Sequence, residues 1–262
     1  MVGGVMRVVS RRLRVRRSEV APNARPSAAG TLAAKAEVVL GLQLVTRQRS
    51  VRLAALLAVG VTAAAAASAP SVDRVAHVML WIGGTLAALA GSRLLASGPA
   101  LAAARMVVAP WWLAPIGRLL GALCAVIPAT LGAGVALLAA AHGTASVARM
   151  AGVTTVYVAV VAAVVMALAR LLGATGAALL GVLGVWLGAA PPPAVAGLLV
   201  GWPALARAAV WAWQVLPLPW HAWRWLEGRR VADSLLLVTW AALGIGMAGW
   251  RLVGSRGSGR AP

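Results

Sequence analysis

Charged positions divide this chain into long apolar runs. No Asp, Glu, Lys or Arg lies between Arg52 and Asp73, Arg74 and Arg93, Arg118 and Arg149, Arg149 and Arg170, Arg170 and Arg207, or Asp233 and Arg251. A helix crossing about 30 Å of hydrocarbon needs roughly 17–25 such residues at 1.5 Å each. The pattern therefore predicts an all-α, polytopic membrane protein with six transmembrane helices, at about 53–70, 75–93, 119–141, 150–169, 171–189 and 234–250. The fifth run contains Pro191, Pro192 and Pro193, which remove backbone donors and clash with the preceding turn, so span five is placed before them. A seventh span over 194–213 would bury Arg207 and centre on Pro203, at a cost of about 2.5 kcal/mol or more for the charge alone.

Three segments between the runs have patterns of their own. On a helix over 31–50, Ala34, Val38, Gly41 and Val45 share one side, while Lys35, Gln43, Thr46, Arg47 and Ser50 gather on the other, with Glu37 interrupting the apolar face. This predicts an N-terminal interfacial helix, the alternative being a solvated basic linker. In the loop 94–117, Pro99 can open a short helix and Pro110 must end it, with Trp111 and Trp112 as headgroup-level anchors. Six of the 12 tryptophans fall within 194–232, where Pro203, Pro217 and Pro219 cut the chain into pieces too short to span. That segment reads as a broken, half-inserted outer hairpin centred on Trp211, Trp213, Pro217, Pro219 and Trp220, or as a passive aromatic belt. In span five, Gly184 and Gly188 form a G-x-x-x-G pair suited to helix packing or dimerisation.

Composition agrees with the pattern: 61% of residues are apolar and 11% charged, against about 45–50% and 25% in soluble domains. The formal charge of +19 arises from 24 basic and 5 acidic residues, and 11 of the basic ones precede residue 53. With the N-terminus inside, six spans leave 18 basic residues on the cytoplasmic side and 6 outside, which orients both termini to the cytoplasm. The basic end then faces anionic lipid, and no nucleic-acid partner is implied. Residues 1–30, rich in Arg, Ser, Pro and Ala, read as a disordered cytoplasmic tail, 31–251 as the membrane domain, and 252–262 as a second tail. The first uncharged run begins only after Arg52, too late for a cleaved signal peptide. The single cysteine, Cys124, forms no intramolecular disulfide.

Motifs for enzymatic chemistry are missing. The five acids are Glu19, Glu37, Asp73, Glu227 and Asp233, none in the interior of an expected span, and there is no H-E-x-x-H, G-x-x-x-x-G-K-[ST] or G-x-S-x-G. His77, His142 and His221 are far apart in sequence, so neither a metal site nor a cofactor is expected. A proton-driven carrier usually keeps an ionisable group within the membrane, and the sequence offers no buried carboxylate for the task. Transport, if driven by ATP, would need a separate ATPase.

Two stretches carry a likeness to a known family. L-W-I-G-G-T-L-A-A-L-A-G-S-R-L-L-A-S-G at 80–98, and A-P-W-W-L-A-P-I-G-R-L-L-G-A-L at 109–123, together with the six-span plan, resemble the permease subunit of ABC-2 type transporters over roughly residues 31–255. The resemblance implies the membrane-spanning subunit of an exporter in the bacterial inner (plasma) membrane. That subunit is not itself an enzyme. It forms a homodimer or heterodimer and couples to a separate ABC ATPase through the inner loop. Carried over by position, the coupling residues are Arg93, Gly98, Arg105, Pro110 and Arg118, the last holding the basic place before span three. Ala96 and Ser97 stand where the family commonly has an acid. Two alternatives remain: a subunit like the haem-exporter B protein of cytochrome c maturation, and a non-transporting membrane protein whose basic tail binds lipid or a cytoplasmic partner.

Overall fold

The computed structural model describes residues 26–68, 71–94, 113–142, 144–228 and 231–257, and all regular structure among them is helical. The elements are α1 (Pro26–Thr46), α2 (Arg49–Ser68), α3 (Val72–Gly91), α4 (Leu113–His142), α5 (Thr144–Leu187), α6 (Pro192–Leu198), α7 (Pro203–Val215), α8 (Pro219–Leu226) and α9 (Val231–Gly257). Five of them, α2, α3, α4, α5 and α9, are long and apolar enough to cross a bilayer. Their outward faces carry Leu53, Leu56 and Leu57 on α2 and Leu235, Val238 and Met247 on α9, all exposed. Apolar surface on that scale is tolerated where the surroundings are lipid, and the molecule is a membrane protein.

α3 is the central helix, packed along α5, α4 and α2 and touching α8 at one end. It buries Val75, Met79, Leu80 and Leu86 and has Gly83, Gly84 and Gly91 where neighbouring helices come closest. The contacts of Gly84 show the path of α5. A Cβ there would lie 3.0 Å from both Tyr157 and Val185, residues that a straight helix would hold about 42 Å apart at 1.5 Å per residue. Gly181 in turn lies against Val165 and Ala88. α5 therefore folds back on itself, and its two limbs run antiparallel beside α3. The turn is at Gly173, with φ 74° and ψ 169°, a backbone region open essentially to glycine alone.

Element ends differ from expectation in informative ways. The break between the fourth and fifth apolar runs lies at Gly173, three residues beyond Arg170. α5 ends at Leu187, before the proline triplet, and Pro192 opens α6 instead of ending α5. Prolines also stand in the first turns of α7 and α8, where the missing N–H would have no helical partner. α1 begins at Pro26, inside the segment read as a disordered tail, and α9 continues to Gly257, into the segment read as a second tail. α4 starts at Leu113 and carries Pro128 within it. The short helix expected between Pro99 and Pro110, with Trp111 and Trp112, lies outside the described residues.

The faces of α1 are as its sequence pattern indicates: Val38 and Gly41 turn inward with fully buried Val45, while Lys35, Gln43, Thr46 and Arg47 are exposed. The inward face packs against α4. Gly41 meets the backbone of Arg118, and Gly121 meets that of Val38, so a side chain at either glycine would push the two helices apart.

Candidate functional site

Two polar clusters stand out in an otherwise apolar bundle, one at each end. The first is built on Arg118, in the second turn of α4 and 3% exposed. Its Nε donates to Glu37 Oε2 at 2.7 Å and its Nη1 donates to the Leu94 carbonyl at 3.2 Å. Glu37 comes from α1 and Leu94 from the turn that follows α3. One guanidinium thus joins three elements, and both flanks of the 95–112 segment are fixed at one point. Glu37, which interrupts the apolar face of α1 in sequence, is the counter-ion that allows Arg118 to be buried. Arg93 is exposed beside this node. Gly98, Arg105 and Pro110 lie outside the described residues.

The second cluster joins α7, α8 and α9. His221 and Asp233 are 3% and 4% exposed, and His221 Nδ1 lies 2.6 Å from Asp233 Oδ1. His221 Nε2 lies 2.9 Å from the Trp213 carbonyl. A carbonyl can only accept, so Nε2 is the donor there, and Nδ1 faces the Asp233 carboxyl. Asp233 Oδ2 is buried without a hydrogen bond, and the Arg224 Nε faces it at 3.6 Å. Arg224 itself lies over the Trp220 ring, 5.9 Å from its centre. Chemically the cluster is a buried imidazole–carboxyl pair with a guanidinium beside it.

Around this pair, indole and guanidinium donors satisfy carbonyls of the broken segment. Trp213 Nε1 donates to Ala190, Trp240 Nε1 to Val215 and an Arg149 nitrogen to Trp225. The Trp220 backbone N–H donates to Gly188. Pro217 lies in the break between α7 and α8, and Pro219 opens α8 as a buried residue. Trp211 is 67% exposed and has its ring on the opposite side of α7 from Trp213. That follows from a spacing of two residues, about 200° around a helix.

His77, Trp81, Trp220 and Trp223 line a crevice nearby, with the His77 and Trp223 rings stacked at 3.6 Å. It is closed down to about the size of one water molecule. Among the described residues, no three of His, Cys, Asp and Glu converge as a metal site would require.

Sequence reasoning did not connect His221 with Asp233, nor Glu37 with Arg118. For the His221–Asp233 pair a signal was present: two short-range polar residues flank the turn at Gly228, whose φ of 76° reverses the chain and brings α8 against α9. The contact between Glu37 and Arg118 spans 81 positions and has no local signature. No protein family, curated protein or solved structure matches this chain.

Proposed function

We propose that the chain is the membrane-spanning subunit of an ATP-driven exporter of the ABC-2 type, working as a dimer with a separate ATPase that docks on the 95–112 segment. In this reading α2, α3, α4, the two limbs of α5 and α9 form six passes, with both termini cytoplasmic. The antiparallel fold of α5 supports the count, and the excess of basic residues at the N-terminal end supports the orientation. The observation that carries the coupling role is the Arg118 node. A push on a segment whose flanks meet at Leu94 and Arg118 is delivered at once to α1, α3 and α4. Such a junction suits a loop that converts ATPase closure into reorientation of helices.

The test is cross-linking in intact membranes. Cys124→Ser combined with Arg105→Cys gives a single reactive thiol on the inner loop. Recovery of an ATPase with a phosphate-binding loop supports the reading, and cross-links to lipid alone sink it.

A second reading is favoured by the His221–Asp233 pair. An ionisable pair buried at one end of a membrane bundle is the kind of group a proton-linked carrier uses. Uptake or efflux abolished by an uncoupler at unchanged ATP would select this reading over the first.

A further inference from the structure

We propose that the groove between α6 and α7 binds an anionic phospholipid, with its phosphodiester, uncompensated by a headgroup cation, paired to Arg207 and an acyl chain along the apolar wall. The two helices pack on one another and make little contact with the bundle, and α7 buries none of its residues. The groove has a volume of about 260 Å³ and is lined by Ala196, Ala206, Arg207, Val210, Trp211 and Gln214. That is small for a compact ligand and suited to a length of hydrocarbon chain. Its α7 wall follows helical spacing, since 206, 207, 210, 211 and 214 share one face.

Arg207 is the only charged residue of that wall. It is exposed and forms no ion pair among the described residues. The chain has 5 acids to 24 bases, Glu37 is committed to Arg118, and Asp233 to His221 and Arg224. A second copy of the chain would therefore bring few carboxylates to neutralise this guanidinium. A membrane supplies phosphate in quantity, and a planar fork of N–H donors matches a phosphate well. The surroundings place the groove at headgroup depth. Leu198 is 84% exposed, and Trp202 and Trp211, residues that favour the interfacial layer, flank Arg207 on the same hairpin. Gln214, one turn beyond Trp211, adds an amide donor within reach of an ester carbonyl.

The proposal does not depend on the transport reading. It is tested on the full-length protein by native mass spectrometry after release from detergent containing palmitoyl-oleoyl phosphatidylglycerol or the matching phosphatidylcholine. A phosphatidylglycerol adduct retained over phosphatidylcholine is expected. Arg207→Gln should lower its occupancy roughly fivefold. Arg74→Gln, an exposed arginine outside the groove, should leave it unchanged. Ala206→Trp, which fills the groove and keeps the charge, should also reduce it. Equal retention by the Arg207→Gln protein overturns the proposal. So does displacement of the adduct by inorganic phosphate alone, or replacement of the adduct by a dimer that Arg207→Gln dissolves.

Discussion

Arg118 and Glu37 form an ion pair between α4 and α1, Nε to Oε2 at 2.7 Å, with the guanidinium buried and the carboxylate partly so, where Gly41 and Gly121 let the two backbones approach closely. Removing one member of such a pair is worse than removing both, because the survivor keeps its desolvation cost without its partner. Glu37→Leu is expected to destabilise the detergent-solubilised protein by about 3–5 kcal/mol, and Glu37→Leu with Arg118→Met to recover most of the loss. Thermal unfolding of the two variants beside the parent measures it. A double variant no better than the single one would mean that the bond from Arg118 to the Leu94 carbonyl, and not the ion pair, holds the node.

His221 holds the Trp213 carbonyl on one side and Asp233 on the other. His221→Leu removes both bonds and leaves Asp233 facing only Arg224. The expected loss is about 1–3 kcal/mol for the unsatisfied buried group. The break between α7 and α8 should also open to a non-specific protease. Trp213→Phe keeps the backbone carbonyl and removes only the indole bond to Ala190, so its effect should be smaller. Equal protease resistance of the His221→Leu protein and the parent would show that the tryptophan contacts suffice.

Gly173, at the turn of α5, and Gly184, in its second limb, should respond differently to alanine. At Gly173 the backbone conformation excludes a side chain, and Gly173→Ala should cost about 1–3 kcal/mol. At Gly184 a Cβ would meet nothing within 4 Å in one copy of the chain, so Gly184→Ala should be neutral for folding. Gly188, the other half of the G-x-x-x-G pair, is buried against Leu218 of the same chain, so if Gly184 sits at a dimer contact, Gly184→Ala will leave stability intact and lower the dimer fraction in cross-linking. Full stability of Gly173→Ala would argue against the turn.

Orientation can be read with reporter fusions. A reporter active only in the cytoplasm should work at residue 2, at residue 105 and after residue 258, and be silent at residues 145 and 228. Activity at 228 with silence after 258 would put an extra crossing in the broken segment, through α6 and α7, and would overturn the six-pass topology.

The sequence by itself determined that this is an all-helical membrane protein and where most of the long helices lie. Both follow from local rules, because every apolar run must satisfy its own backbone hydrogen bonds in lipid and a charge within a run is costly. The same local logic located the proline-cut segment and the polar face of α1. Tertiary structure decided what each face packs against. The inward face of α1 meets α4 because Gly41 and Gly121 allow close approach and because Glu37 finds Arg118, a partner 81 positions away. The reversal in α5 was assigned to the charge at Arg170, yet the chain turns at Gly173, since a charge marks a boundary while only glycine adopts that backbone geometry at little cost. Asp233 reads in sequence as an interfacial acid. Its burial depends on α8 folding over it, and that in turn depends on prolines and tryptophans that hold the broken segment against α9. Pairings of this kind depend on which distant surfaces meet, and no local pattern along the chain encodes them.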